Sequence, residues 1–149
     1  MVLRVFFVET LSFSVVLCTY MGTFHVQSTY GALGEELGCR YLKEKGYKIL
    51  ATNYCNATGR RLGEIDIVAQ KGKELIFIEV KTRLKEAKET VVPEASITRA
   101  KLHKLERIVA CFLREKKCQS TPYHFDALSI VYDVQVRKAS IRHLEHIFI

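Results

Sequence analysis

The chain has no tryptophan, two prolines and eight glycines in 149 residues. So little proline and glycine excludes collagen-like and low-complexity sequence. It has five cysteines, Cys18, Cys39, Cys55, Cys111 and Cys118, but no C-x-x-C pair. An odd number without that spacing argues against a disulfide framework or a zinc site. It predicts free, buried thiols in a reducing cytoplasm. Long apolar runs are scarce too. The stretch from Thr10 to Phe24 is too short for a membrane span, so no membrane partner is expected. Acidic residues are outnumbered, 16 against 23 basic ones, which leaves a formal charge of +7.

What is present suits one globular domain. Hydrophobic residues make up 48% and charged ones 26%, a composition that can bury a core of ordinary size. The positive excess fits a polyanionic partner, nucleic acid or a membrane surface, and equally a basic protein with no such partner.

Residues 1–20, MVLRVFFVETLSFSVVLCTY, form an apolar extension carrying only Arg4 and Glu9 as charges. Three readings are open: a weak export signal, an extra packed element, or sequence upstream of the true start. Glu9 splits the apolar run and no A-x-A-like cleavage site follows. Met21 comes next and the organised pattern begins just after it, which favours the upstream-start reading. Residues 21–149 are then a single domain.

In Gly31 to Lys45, Leu33, Leu37, Tyr41 and Leu42 recur at helical spacing, with Gly46 as a stop. Tyr47 to Tyr54 reads as a strand, and Asn56 to Arg61 as a polar, basic turn. Leu62 to Gln70 and Glu74 to Thr82 are rich in β-branched and aromatic residues. Lys71-Gly72-Lys73 joins them as a hairpin, so they are expected to be antiparallel neighbours. Arg83 to Glu94 is a loop by composition. A second long helix carries Ile97, Leu102, Leu105, Ile108, Val109, Phe112 and Leu113, with Ser96 as its expected N-cap. Tyr123 to Val131 is another strand, and residues 134–149 add one more strand and a closing segment. The order α-β-β-β-α-β, plus that extension, is an α/β class.

The chemistry concentrates in the hairpin. In a strand, residues i and i+2 share a face. Glu64 and Asp66 therefore point one way from the first strand, and Glu79 and Lys81 share a face of the second, with Arg83 continuing the row. Ile65, Ile67, Ile76, Ile78 and Val80 around them are fit for burial. Buried charge is costly unless paired or metal-bound. One compensation is a cross-strand salt bridge of Asp66 or Glu79 with Lys81 or Arg83. The other is a hard divalent cation. Mg²⁺ prefers oxygen ligands and keeps waters and a substrate phosphate, while a nearby lysine can orient a water or balance developing charge. Two carboxylates and a lysine around such an ion suit phosphodiester hydrolysis.

Asp66 to Lys81, D-(x)12-E-V-K, resembles the PD-(D/E)xK signature of the restriction-endonuclease-like superfamily. More narrowly, G-A-L-G-E-E from Gly31, Tyr41 to Leu50, G-E-I-D-I-V from Gly63 and F-I-E-V-K-T-R from Phe77 resemble the YraN-like family of small uncharacterised bacterial proteins. Lys101 and Phe125-Asp126 match more loosely. The likeness runs from about Gly31 onward. Residues 1–20 have no counterpart in it, and the loop Arg83–Pro93 lacks the glycine expected there. The resemblance implies a three-layer nuclease core, a central mixed sheet flanked by helices. It implies Asp66 and Glu79 as ligands of Mg²⁺ or Mn²⁺, Lys81 as the catalytic lysine and Glu35 as the acid that completes the site. It also implies DNA as partner, with no small-molecule cofactor. Junction-cutting relatives work as dimers, so a homodimer is an expectation, although no residue here marks its surface.

Several residues carry plainer alternatives. Glu35 and Glu36 are expected in the first turns of a helix, where carboxylates favour the macrodipole. Glu64 is expected at the surface. Seven basic and two acidic residues lie between Arg99 and Lys117. Arg99, Lys101 and Lys104 there, with Arg60, Arg61 and Arg83 near the hairpin, are candidate phosphate contacts, or else a solvated basic face. Asp126, inside an apolar strand, is expected to pair with a basic residue. His103, His124, His143 and His146 show no catalytic spacing. Two functional classes remain: a metal-dependent nuclease acting on branched or single-stranded DNA, and a non-catalytic nucleic-acid-binding protein that keeps the fold. A protein-interaction module with a structural acidic cluster is a third. None of the motifs reads base sequence, so structure-guided recognition is expected.

Overall fold

A computed structural model describes residues 11–13, 26–56, 62–85 and 99–147. Its elements are β1 (Leu11–Phe13), α1 (Val26–Glu44), β2 (Lys48–Tyr54), β3 (Ile65–Lys71), β4 (Glu74–Leu84), α2 (Arg99–Glu115), β5 (Tyr123–Asp133) and β6 (Lys138–Leu144). The six strands form one mixed sheet in the order β1-β6-β5-β4-β3-β2. β4 and β5 are parallel, joined through α2, and every other pair is antiparallel. Leu11–Phe13 of the N-terminal extension thus adds a short edge strand to β6.

Alternation along the strands builds two cores, one on each face. Ile67, Ile76, Ile78, Leu128 and Ile130 meet Leu37 and Leu42 of α1. Val68, Phe77 and Phe125 meet Leu105, Ile108, Val109 and Phe112 of α2. The result is the expected α/β/α three-layer arrangement, consistent with a restriction-endonuclease-like core. The central strand β4 is apolar on both faces from Leu75 to Ile78, as a strand covered by helices on both sides must be.

α1 lies unusually close to the sheet. A Cβ on Gly34 would fall within 2.9 Å of the Thr82 Cβ, and one on Gly38 within 3.1 Å of a Leu128 methyl. Only glycine lets the helix backbone approach this far. α1 ends where Gly46 adopts φ 84°. The Tyr47 and Gly46 amides bond back to the Leu42 and Lys43 carbonyls at 2.9 and 3.0 Å, so the terminal carbonyls are satisfied.

The structure revises some expectations. α1 begins at Val26, well before Gly31, and no acidic residue lies in its first turn. Glu35 and Glu36 sit mid-helix, so the macrodipole does not account for them, and Glu36 is instead ion-paired with Arg40 at 3.0 Å. β3 begins at Ile65, leaving Glu64 outside the strand and exposed as expected, so it does not share a strand face with Asp66. Four cysteines, Cys39, Cys55, Cys111 and Cys118, are free. None of these four is fully buried, and Cys55 is exposed, because their positions fall at the borders of the apolar faces. Cys18 and Ser96 lie outside the described residues.

Candidate active site at the end of the hairpin

The hairpin registers Lys71 with Glu74 and continues to Ile67 with Ile78. The pairing of the two strands stops there, one residue short of Asp66 and Glu79. There the alternation of β3 breaks. Ile65 belongs to the core under α2, while Ile67 belongs to the core under α1. The neighbouring strand is irregular too, with a register shift near Leu50 and Asn53 at φ 51°. This turn of the ribbon brings the half-buried Asp66 side chain across to β4, where its Oδ2 accepts the Val80 amide at 2.7 Å.

Glu79 lies on the α2 face of β4, in line with Phe77. Its side chain is only 11% exposed. It lines a small, mostly apolar pocket with Ile65, Phe77, Leu105, Ile147 and the buried Asp126. Lys81, two residues along the same face, places Nζ 3.4 Å from Glu79 Oε1 and is 43% exposed. The ion pair expected across strands is thus made within one strand. Arg83 continues the row and is exposed. Asp66 thus bonds β4 at Val80, the residue between Glu79 and Lys81 in the chain, while Glu79 and Lys81 pair on one face, the carboxylate in mostly apolar surroundings and the cation reaching to water.

Glu35 is half-buried on α1, and its Oε2 accepts Asn53 Nδ2 at 2.8 Å. This ties the helix to the irregular end of β2. Among the described residues, no three Asp, Glu, His or Cys side chains are grouped so that they would hold an ion together. The structure thus does not gather Glu35 with Asp66 and Glu79 into one cluster. Of the basic candidates, Lys104 is exposed on α2. Arg99 and Lys101 lie in α2, with side chains outside the described residues, as are Arg60 and Arg61 altogether.

Two features escaped the sequence reading. Asn53 anchors Glu35, and its one legible sign is the residue type itself, since asparagine tolerates the left-handed region that interrupts a strand. Of the four histidines without catalytic spacing, His124, His143 and His146 converge on Asp126, which is fully buried. His143 Nε2 stands 2.9 Å from Asp126 Oδ2, and the His146 amide donates to Oδ1 at 2.9 Å. Asp126 therefore has the basic partner expected for it. The i, i+2 spacing of His124 and Asp126 was visible; their convergence with residues of β6 was not.

Among the described residues, no helix is long and apolar enough to cross a membrane. Residues 34–130 match the model of the Uncharacterised protein family UPF0102. A UPF0102 protein of Pelotomaculum thermopropionicum is 36% identical over 118 residues, 79% of this chain and 93% of its own length. One from Caldicellulosiruptor saccharolyticus is 33% identical over 119 residues, covering 79% and 95%. One from Dictyoglomus thermophilum is 38% identical over 101 residues, covering 68% and 80%.

Proposed function

The chain belongs to the uncharacterised protein family UPF0102, and on that footing we propose that it is a metal-dependent endonuclease that hydrolyses DNA phosphodiester bonds. The observation that carries this reading is the Asp66 carboxylate bonded to the Val80 amide of β4, next in the chain to Glu79, with Lys81 at 3.4 Å from Glu79.

The donor set fits a hard divalent cation. Two carboxylates supply oxygen ligands and leave the remaining positions to water and a phosphate oxygen, the way Mg²⁺ is usually held. Asp66 and Glu79 would hold Mg²⁺ or Mn²⁺. Glu35 would contribute after exchanging its hydrogen bond with Asn53. Such an ion supplies charge neutralisation at the phosphate and lowers the cost of making hydroxide from water. Lys81, with its head toward solvent, orients the attacking water or balances the charge that develops on phosphorus oxygens. Water adds to phosphorus and releases a proton to solvent, one P–O ester bond breaks, and the leaving oxygen takes a proton from solvent. The apolar walls around Glu79 keep bulk water away and strengthen these electrostatic terms.

Arg83 and Lys104 are exposed and available to phosphates, and Arg60, Arg61, Arg99 and Lys101 extend that role in this proposal. Contacts of this kind give affinity with little base readout, which suits branched or single-stranded DNA. The four free thiols suit a reducing compartment, the cytoplasm.

Purified protein incubated with supercoiled, single-stranded and four-way-junction DNA, with Mg²⁺, Mn²⁺ or EDTA, tests the reading. Cleavage that disappears with EDTA and in Asp66→Ala supports it. Binding without cleavage under every condition, unchanged in Lys81→Ala, replaces it with a non-catalytic DNA-binding protein. No binding even at low salt refutes both.

A further inference from the structure

On β5, in register with Ile78 beside Glu79, a second cluster of ionisable groups surrounds Asp126. Its side chain has no solvent exposure. His143 on β6 reaches Asp126 Oδ2 at 2.9 Å, and His124 on β5 stands 3.4 Å from Oδ1. The Asp126 Oδ1 also accepts the amide of His146 at 2.9 Å. The His146 ring stacks on His124 with centroids 3.9 Å apart. Glu74 on β4 faces His124 Nδ1 at 3.5 Å. Tyr47, just before β2, donates its hydroxyl to Glu145 at 3.1 Å. The rings of Tyr47 and Tyr41 pack against His143, and Lys71 of β3 sits over Tyr47.

These contacts fix a short strap, residues 145–147, after β6. Glu145 is held by Tyr47, His146 by Asp126 and His124, and the Ile147 amide by the Phe125 carbonyl at 2.9 Å. His146 takes φ 52° to make the turn, a conformation that a non-glycine residue keeps only when its surroundings hold it. The strap ends in the pocket of the candidate site, where Ile147 and Glu79 are wall residues together with Leu105 and Phe77. Asp126 itself is a wall residue of that pocket beside Glu79, so the strap and the buried carboxylate both connect the histidine cluster to the surroundings of Glu79.

We propose that the Asp126–His124–His146 cluster is a proton-sensitive latch for this strap, and that the strap regulates the Glu79 site by closing its pocket. The regulatory half rests on the nuclease reading; the latch does not. The cause is local. Stacked imidazoles at 3.9 Å tolerate both being neutral but not both being charged. His124 is largely enclosed, so its proton must be taken into a poorly hydrated place, and burial holds its pKa below the ordinary value, partly offset by the Asp126 carboxylate. As pH falls through the acidic range, protonation favours a form in which the His124 and His146 rings part. The strap then lifts, Ile147 leaves the pocket, and water enters beside Glu79.

Hydrogen exchange of the full chain, read at the Ile147 amide from about pH 8 to about pH 5 and corrected for intrinsic rate, tests the latch. The protection factor is expected to fall about tenfold or more toward acid pH in the natural chain, and to stay level in His124→Gln. Ile147 protection that is constant in the natural chain, or that falls as much in His124→Gln, overturns the proposal. Asp126→Asn is expected to lower protection at every pH. If that variant does not fold, the His124→Gln comparison still decides. A cleavage assay separates the two layers. If cleavage parallels protection in the natural chain and loses that pH dependence in His124→Gln, regulation of the Glu79 site holds. If protection falls while cleavage does not follow, the latch stands and its control of the site is refuted. A chain that cleaves nothing at any pH fails the nuclease reading and its regulation, and leaves the exchange result to judge the latch.

Discussion

The Asp66 carboxylate accepts the backbone amide of Val80 at 2.7 Å, so one side chain both closes the open end of the hairpin and presents acid beside Glu79. The structural role and the metal-binding role proposed for it are separable by substitution. Asp66→Asn keeps an oxygen for the Val80 amide and loses the charge, so near-native stability with abolished cleavage is expected. Asp66→Ala leaves a half-buried amide without this acceptor and is expected to cost about 1–3 kcal/mol in urea unfolding. Equal destabilisation by both substitutions would refute this division.

Lys81 gives the opposite balance. Its ion pair with Glu79 is partly exposed, and pairs of that kind contribute below about 1 kcal/mol. Lys81→Ala is therefore expected to unfold at nearly the natural urea midpoint while cleavage falls by roughly 10²–10⁴-fold, the usual worth of proton-transfer assistance. Parallel loss of stability and activity would mark Lys81 as structural.

The Gly34–Thr82 approach predicts a packing defect. An added methyl at Gly34 would overlap Thr82, so Gly34→Ala should destabilise by about 1–3 kcal/mol despite alanine's better helix propensity of about 1 kcal/mol. Thr82→Ala should lessen that cost in the double variant, because it removes the nearest atoms. Additive effects would show that the contact is not the cause.

Stability should also depend on pH through His124. Burial lowers its pKa from 6.5 in the folded chain. Below about pH 6.5 the unfolded chain takes up a proton that the folded chain resists, so the contribution is complete above that value and lost as the solution becomes more acidic. The urea midpoint is expected to decline below about pH 6.5, and to decline less in His124→Gln.

The basic residues make DNA affinity a salt-dependent quantity. If Lys104 contacts a phosphate, Lys104→Ala reduces the slope of log K against log salt by about 0.9 on duplex DNA. An unchanged slope at unchanged affinity would remove Lys104 from the interface and leave it as part of a solvated helix face.

By itself, the sequence determined the α/β class, the hairpin across Gly72, the apolar stripes of both helices and the shared face of Glu79 and Lys81. All are local: strand alternation, helical spacing and i, i+2 neighbours follow from backbone geometry over a few residues. Only the tertiary structure decided the rest. That Asp66 reaches Val80 depends on a break in alternation caused by packing against two different helices. That Glu35 binds Asn53 depends on where α1 lies over the sheet. That His124, His143 and His146 meet at Asp126 depends on β6 pairing beside β5, a long-range contact to which the spacing of histidines along the chain gives no guide.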